Sequence, residues 1–379
     1  MKGKPLKIVI ATDSFKGVMS ARQACAVIRD ALLSVRPDLD VSIKPMADGG
    51  EGTASALIAA RNGIWMRAVV MGPLPDRTVE AGYAWFEKDR MALVEMASAS
   101  GLPLLKLSEY NPLKTTTYGT GELIARSLAR IPERILLAVG GSATVDGGVG
   151  AAMALGWRFL DKQGAPIGLG GEHLEAIRDI EPPEGVSFSE VEVLCDVDNP
   201  LCGEHGAAQV FGPQKGATPE MVRRLDDGLK HMAQIVRDRL GVEIENVPGA
   251  GAAGGLAAGA MAFMNARLVA GIETVISASG LERVIEGADW VITGEGRFDS
   301  QSLRGKVVSG IVQSTRPAGA KVAVMAGSVQ VSEQEMRDSG VEIALPTGKP
   351  DMPMEEVLKR GRQDLYETAR LFAREYLGE

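Results

Sequence analysis

The segment LKIVIATDSFKGVMSARQACAVIRDALLSV, residues 6–35, decides the fold. It opens with LKIVIAT, a short and almost continuous apolar run, which reads as a strand buried on both faces. The polar turn TDSFKG follows. Ser20 then stands where a helix N-cap belongs, and SARQACAVIRDALLSV carries its apolar residues at helical spacing. A buried strand feeding an amphipathic helix is one βα unit of a parallel sheet. The pattern repeats at once: VSIKP (41–45) is a second strand, ADGGEGT a glycine-rich turn, and a helix is expected from about Thr53 to Arg61.

Further along, TVEAGYAWF and MALVEMA alternate around the turn EKDR, a β-hairpin signal. A helix is expected over 117–130, then the strand RILLAVGG and a long glycine-bearing helix through VGAAMALGW. SEVEVLCDVDNPL reads as a strand running into a polar turn. TPEMVRRLDDGLKHMAQIVRDRL is a long helix with Thr218 as N-cap and Pro219 at its first position. The βα alternation returns in DWVITGEG, GKVVSGIVQST, KVAVMAG, SEQEMRDSG and VEIALP, before a last helix over 354–377. Two opening and three closing βα units make five strands, the number in a flavodoxin-like parallel sheet. The expectation is therefore an α/β protein: a flavodoxin-like domain from 1–66 and 286–379, a second α/β domain of 67–285 inserted into it, and an active-site cleft between them.

Composition narrows the function. The 379 residues are 45% hydrophobic but only 4% aromatic, with 46 glycines, so the core is built from small aliphatic side chains that let helices approach a sheet closely. A net charge of −8 without a basic, aromatic-studded run argues against nucleic acid as a partner. Cys25, Cys195 and Cys202 form neither a disulfide framework nor a zinc pattern. No apolar run approaches the ~18 residues of a membrane span, and KIVIAT is too short for a signal segment, so a cytoplasmic location is expected.

The candidate chemistry lies in polar, glycine-bearing segments that follow strands, since parallel sheets present ligands at the carboxyl ends of their strands. TDSFKG offers Asp13, Ser14 and Lys16. ADGGEGT packs Asp48 and Glu51 into a turn that is either a plain surface turn or a site for metal and phosphate. GGSATVDGG, with Gly141, Ser142, Thr144 and Asp146, is the best phosphate loop, because glycines admit an anion to the backbone. CDVDNPL offers Asp196, Asp198 and Asn199, as Mg2+ ligands, a general base, or a simple Asx-turn before Pro200. FGPQKGA carries Gln214 and Lys215, and TGEGRFDSQS carries Glu295, Arg297, Asp299 and Gln301. GAGAAG (249–254) matches a dinucleotide fingerprint, but the residues before it make a poor strand. GRFDSQSLRGKV is not a P-loop, since Val307 stands where Ser or Thr is needed. The three histidines lack ligand or triad spacing.

The motifs ATDSFKG, PMADGGEGT, TTTYGTGELI, GGSATVDGG, CDVDNPL, FGPQKGA and VITGEGRFDSQS, in this order over residues 6–377, resemble the bacterial glycerate kinase family. Thr12, where that pattern would have Pro, is the one departure. The resemblance implies ATP-dependent phosphorylation of D-glycerate with Mg2+, 2-phosphoglycerate as product, and two α/β domains. On that basis Asp196 is the expected base, Lys16 neutralises charge, and Asp48 sits beside them. The 140–148 loop contacts an anionic group, and Asp198 and Glu51, with Glu295 or Asp48, hold the metal. Two other classes stay open, a hydroxy-acid dehydrogenase and a non-catalytic binding protein for a small acid. Homodimerisation is also open.

Overall fold

The computed structural model describes residues 4–378 apart from 51, 186, 189, 304, 305, 350 and 351. Its strands are β1 (Lys7–Ile10), β2 (Asp40–Ile43), β3 (Ile64–Met71), β4 (Thr78–Phe86), β5 (Met91–Glu95), β6 (Arg134–Ala138), β7 (Arg158–Leu160), β8 (Asp179–Glu181), β9 (Glu190–Leu194), β10 (Arg267–Val269), β11 (Trp290–Phe298), β12 (Lys321–Val329) and β13 (Ile343–Pro346). The chain divides into two compact units. One comprises Met1–Asp48, Ser55–Asn62 and Ile272–Glu379; the other comprises Gly49–Ala54 and Gly63–Gly271.

The first unit is built on a five-stranded sheet in the order β13-β12-β11-β1-β2, parallel throughout. Counted along this unit alone, that is the 2-1-3-4-5 order of flavodoxin-like folds, with its switch point between β1 and β11. Ile8 pairs with Trp290 and Ile10 with Ile292, so β1 ends beside the first part of β11, which runs on to Phe298. The helix Ala21–Val35 starts where the sequence places it: Ser20 Oγ accepts the Gln23 N–H, and Gln23 Oε1 accepts the Ser20 N–H at 2.9 Å, a reciprocal capping box. Its buried face, Ala24, Cys25, Ile28 and Leu32, joins Leu365, Ala369 and Phe372 of the helix Met354–Tyr376 over Ile8, Ile10 and Ile292. Val9, on the opposite face of β1, is fully buried as well, which is why LKIVI is apolar without alternation.

The second unit holds a six-stranded sheet, β10-β9-β6-β5-β4-β3. Four strands are parallel, and the expected β4–β5 hairpin is antiparallel, as is the β3–β4 pair. The helices Tyr118–Leu128 and Ala252–Met264 pack Leu123, Ile124, Leu256 and Ala260 against Val94, Ile135, Leu137 and Val193. A second cluster gathers under the long helix Pro219–Leu240, through Leu225, Leu229, Met232 and Val236. One reading changes. The glycine-bearing helix after the 140–148 loop is only Val149–Ala154, because Gly156 turns left-handed at φ 94° and ends it. PGAGAAGGLAAGAM is a buried helix entered through three consecutive left-handed residues, Ala253, Gly254 and Gly255. Among the described residues no helix is long and apolar enough to cross a membrane.

Candidate active site

At the switch point of the first unit the carboxyl ends of β1, β2 and β11 gather acidic side chains. The Asp13 N–H donates to Gly294 O at 2.9 Å, continuing the β1–β11 pairing by one step beyond the strand, and the Met46 N–H donates to Thr12 O at 2.9 Å, tying the chain after β2 to the same loop. Asp13 is only 8% exposed. Burial, with the nearby charges of Asp48 and Glu295, pushes its carboxyl up to about 7, against the weaker pull of Ser14 N–H and Lys16. Glu295 is also raised, first by burial, then by Asp299 and Asp48, while Ser302 and Lys306 oppose the shift. Its Oε1 is buried and lacks a hydrogen-bond partner among the described residues, as does Thr293 Oγ1 one pleat earlier on β11. Orphaned buried polar atoms are costly and rare, and they concentrate where a ligand supplies what the protein withholds.

The surrounding residues are positioned locally. Asp299 Oδ1 accepts the N–H of Gln301 at 2.9 Å and of Ser302 at 3.3 Å, an Asx-type turn, and Lys306 Nζ reaches Gln301 Oε1 at 3.3 Å. Arg297 is exposed and Ser14 half-buried. Of the expected residues, this unit brings Asp13, Ser14, Lys16, Asp48, Glu295 and Asp299 together. Glu51 lies outside the described residues.

The second unit gathers another group in the 140–148 loop. Gly141 takes φ 77°, and its carbonyl accepts the Leu102 N–H at 2.9 Å. Ser142 Oγ accepts the Thr144 N–H at 3.2 Å. Lys215, 2% exposed, reaches in from the turn Pro213–Lys215 and donates to Ser142 Oγ at 2.9 Å and to Thr144 O at 2.7 Å. Burial lowers the Lys215 ammonium to about 7, partly offset by Asp146. Asp146 is completely enclosed: it accepts the Thr117 N–H at 2.7 Å, Thr117 Oγ1 at 2.9 Å and the Gly148 N–H at 3.2 Å. Burial raises its carboxyl and these donors lower it. On the far side Gly254 lies so close that a Cβ there would sit 1.9 Å from Thr144 O, and its carbonyl accepts the Gly147 N–H at 3.0 Å. The loop is thus held by Lys215, Thr117 and Gly254 from three directions.

Asp196 and Asp198 are exposed on the chain after β9, where Asp196 Oδ1 accepts the Gly271 N–H at 2.8 Å. Gln214 is exposed beside buried Lys215. Among the described residues no three His, Cys, Asp or Glu groups stand at the spacing of a metal cage. Thr117, Thr293, Ser302, Lys306 and Gly254 escape sequence reasoning. Only TTTYGTG carried a signal, a run of hydroxyls ahead of a helix. GAGAAG is preceded by irregular chain, so its glycines serve the close approach to Thr144.

The model of the glycerate kinase family matches residues 8–377. A glycerate kinase of Halalkalibacterium halodurans is 43% identical over 97% of this chain and 97% of its own, and the glycerate 2-kinase of Escherichia coli K12 is 42% identical over 89% of each. The crystal structure of a relative from Salmonella typhimurium LT2 superposes with a TM-score of 0.85 at 41% identity, covering 97% of both chains. With a flavodoxin-like sheet, acids gathered at its switch point and a family match spanning nearly every residue, the chain belongs to the glycerate kinase family.

Proposed function

We propose that this protein phosphorylates a hydroxyl of D-glycerate with ATP, giving 2-phosphoglycerate. The observation that carries the reading is the family match over 8–377, with the desolvated acids at the β1/β11 switch point as its chemical counterpart. Phosphoryl transfer asks a protein for positioning and charge neutralisation.

The first unit's carboxylates fit Mg2+, which takes one or two carboxylates and completes its shell with water and phosphate oxygens. Asp13, Asp48 and Glu295 repel one another, and Glu295 Oε1 has no donor among the described residues. A divalent cation would satisfy both conditions, with Asp48 and Glu295 as its ligands; Asp198, on the second unit, and Glu51 are separate candidates for holding metal. When bound, it neutralises the β- and γ-phosphate oxygens. Lys16 supplies a positive charge for the glycerate carboxylate or the moving phosphoryl group. The Ser142 and Thr144 hydroxyls with the Gly141 backbone, stiffened by Lys215 and Asp146, hold an anionic group of substrate or nucleotide, with Gln214 a further candidate in the same unit; in the first unit Ser14, Arg297 and Asp299 are further binding candidates.

The proton of the attacking hydroxyl passes to a carboxylate. Asp196, oriented by the Gly271 N–H, is the proposed base. Asp13 is the second reading, favoured by a pKa of about 7, which suits a base at neutral pH.

The test is a coupled ADP-release assay with D-glycerate, with and without Mg2+, followed by 31P NMR of the product. Glycerate- and Mg2+-dependent release with a 2-phosphate resonance is expected, and no release from folded protein would overturn the reading. In Asp196→Asn and Asp13→Asn, the base is the residue whose loss drops kcat by about 100-fold or more while ATP binding persists.

A further inference from the structure

The terminal strand of the second unit's sheet is left half open. Among the described residues β3 pairs only with β4, in the register Trp65–Ala84, Arg67–Gly82 and Val69–Glu80. In an antiparallel pair alternate residues aim their backbone groups outward. On β3 these are the odd ones: the Met71 N–H donates to Glu122 Oε2 at 2.6 Å, and Val69 O accepts Arg126 Nη2 at 2.9 Å. Two side chains of the helix Tyr118–Leu128 therefore close the last part of the edge. Trp65 and Arg67 face outward in the same sense, and among the described residues nothing pairs their outward N–H and C=O groups.

The same stretch is apolar where a solitary edge would be charged and guarded. Ile64 is 52%, Trp65 40% and Val69 57% exposed. Arg67 is exposed and, among the described residues, has no ion-pair partner. Trp65, Arg67 and Val69 lie on one face, next to Glu80, Pro103 and Leu104 around a hollow of about 630 Å³.

We propose that this edge is an interface between two copies of the chain, joined by antiparallel β3–β3 pairing across a two-fold axis at Met66. Trp65 then stands opposite Arg67 of the second copy, and Arg67 opposite its Trp65. Each such pair exchanges two backbone hydrogen bonds. Four bonds result, and they use the outward groups of residues 65 and 67, stopping where Arg126 and Glu122 already occupy the edge. The side chains suit this register. Directly opposite residues interact most strongly, and an arginine facing an indole is a favourable cation–π pair, made twice by the symmetry. The pairing is isologous, so it closes at two copies and does not grow a fibre.

Light scattering on the eluting full-length protein reads the state directly. The expected mass is twice the 40.0 kDa of one chain. Arg67→Pro deletes one outward N–H at a position where an edge strand accepts proline, and Arg67→Glu keeps the backbone while replacing the cation that faces Trp65. Both should run as single chains with unchanged circular dichroism and glycerate turnover. Met66→Cys places the two thiols in a non-hydrogen-bonded cross-strand pair, about 4.5 Å between Cα atoms, within disulfide reach. Mild oxidation should convert this variant to a covalent dimer, while wild-type protein with its three native cysteines stays uncrosslinked. A wild-type protein that elutes as a single chain, a dimer that survives both Arg67 substitutions, or a Met66→Cys dimer that does not crosslink on oxidation would each overturn the proposal.

Discussion

At Asp13, burial and two neighbouring acids act together against Ser14 N–H and Lys16. The outcome, about 7 in place of an ordinary 3.8, has a consequence for stability as well as for chemistry. Between pH 4 and 7 the folded chain keeps a proton that the unfolded chain has released, so this residue's contribution to stability falls as pH rises through that window and is flat above it. Asp13→Asn removes the penalty. It should be more resistant to urea than the wild type at pH 8 by about 1–3 kcal/mol and lose that advantage at pH 4. Equal urea midpoints for the two proteins at pH 8 would contradict the assignment. The sequence shows that TDSFKG is polar and follows a strand. It cannot show that Asp13 is buried, because burial comes from β11 and the chain after β2, hundreds and tens of residues away.

Among the elements, the 140–148 loop shows how a glycine's role depends on what stands opposite. Gly254 and Gly280 have the same φ of 67°, yet a Cβ at 254 would lie 1.9 Å from Thr144 O, and at 280 it would meet nothing within 4 Å. Gly280→Ala should cost only the left-handed backbone penalty, about 1–2 kcal/mol. Gly254→Ala must displace the loop as well and should cost about 3 kcal/mol or more, with a raised KM for the ligand held at Ser142 and Thr144. Melting curves and steady-state kinetics on the pair check this, and equal losses would mean that Gly254 does not buttress the loop. The helix Ala21–Val35 and its Ser20 cap were legible because capping and amphipathicity are local. The glycine- and alanine-rich 248–261 stretch was not, because its left-handed entry is set by the backbone of residues 144–147.

For the whole molecule, each of the two units has its own core clusters, so the units can respond differently to ligands. A ligand at 100 times its Kd adds about 2.7 kcal/mol to whatever binds it. Mg-ATP alone and D-glycerate alone should therefore each shift a calorimetric transition upward by several degrees. If the units melt separately, the transition that moves with Mg-ATP names the unit that holds nucleotide. No shift with either ligand would count against the proposed reaction. By itself the sequence determined that the chain is α/β, that its ends build a five-stranded parallel sheet around a second domain, and which loops carry polar chemistry, because strand and helix periodicities, caps and glycine turns are written in neighbouring residues. Only the tertiary structure decided the 2-1-3-4-5 order, the raised acids at its switch point, the burial of Lys215 and Asp146, and the open edge at Trp65 and Arg67. Each of these depends on which distant segments meet, and pairing and desolvation are properties of that meeting.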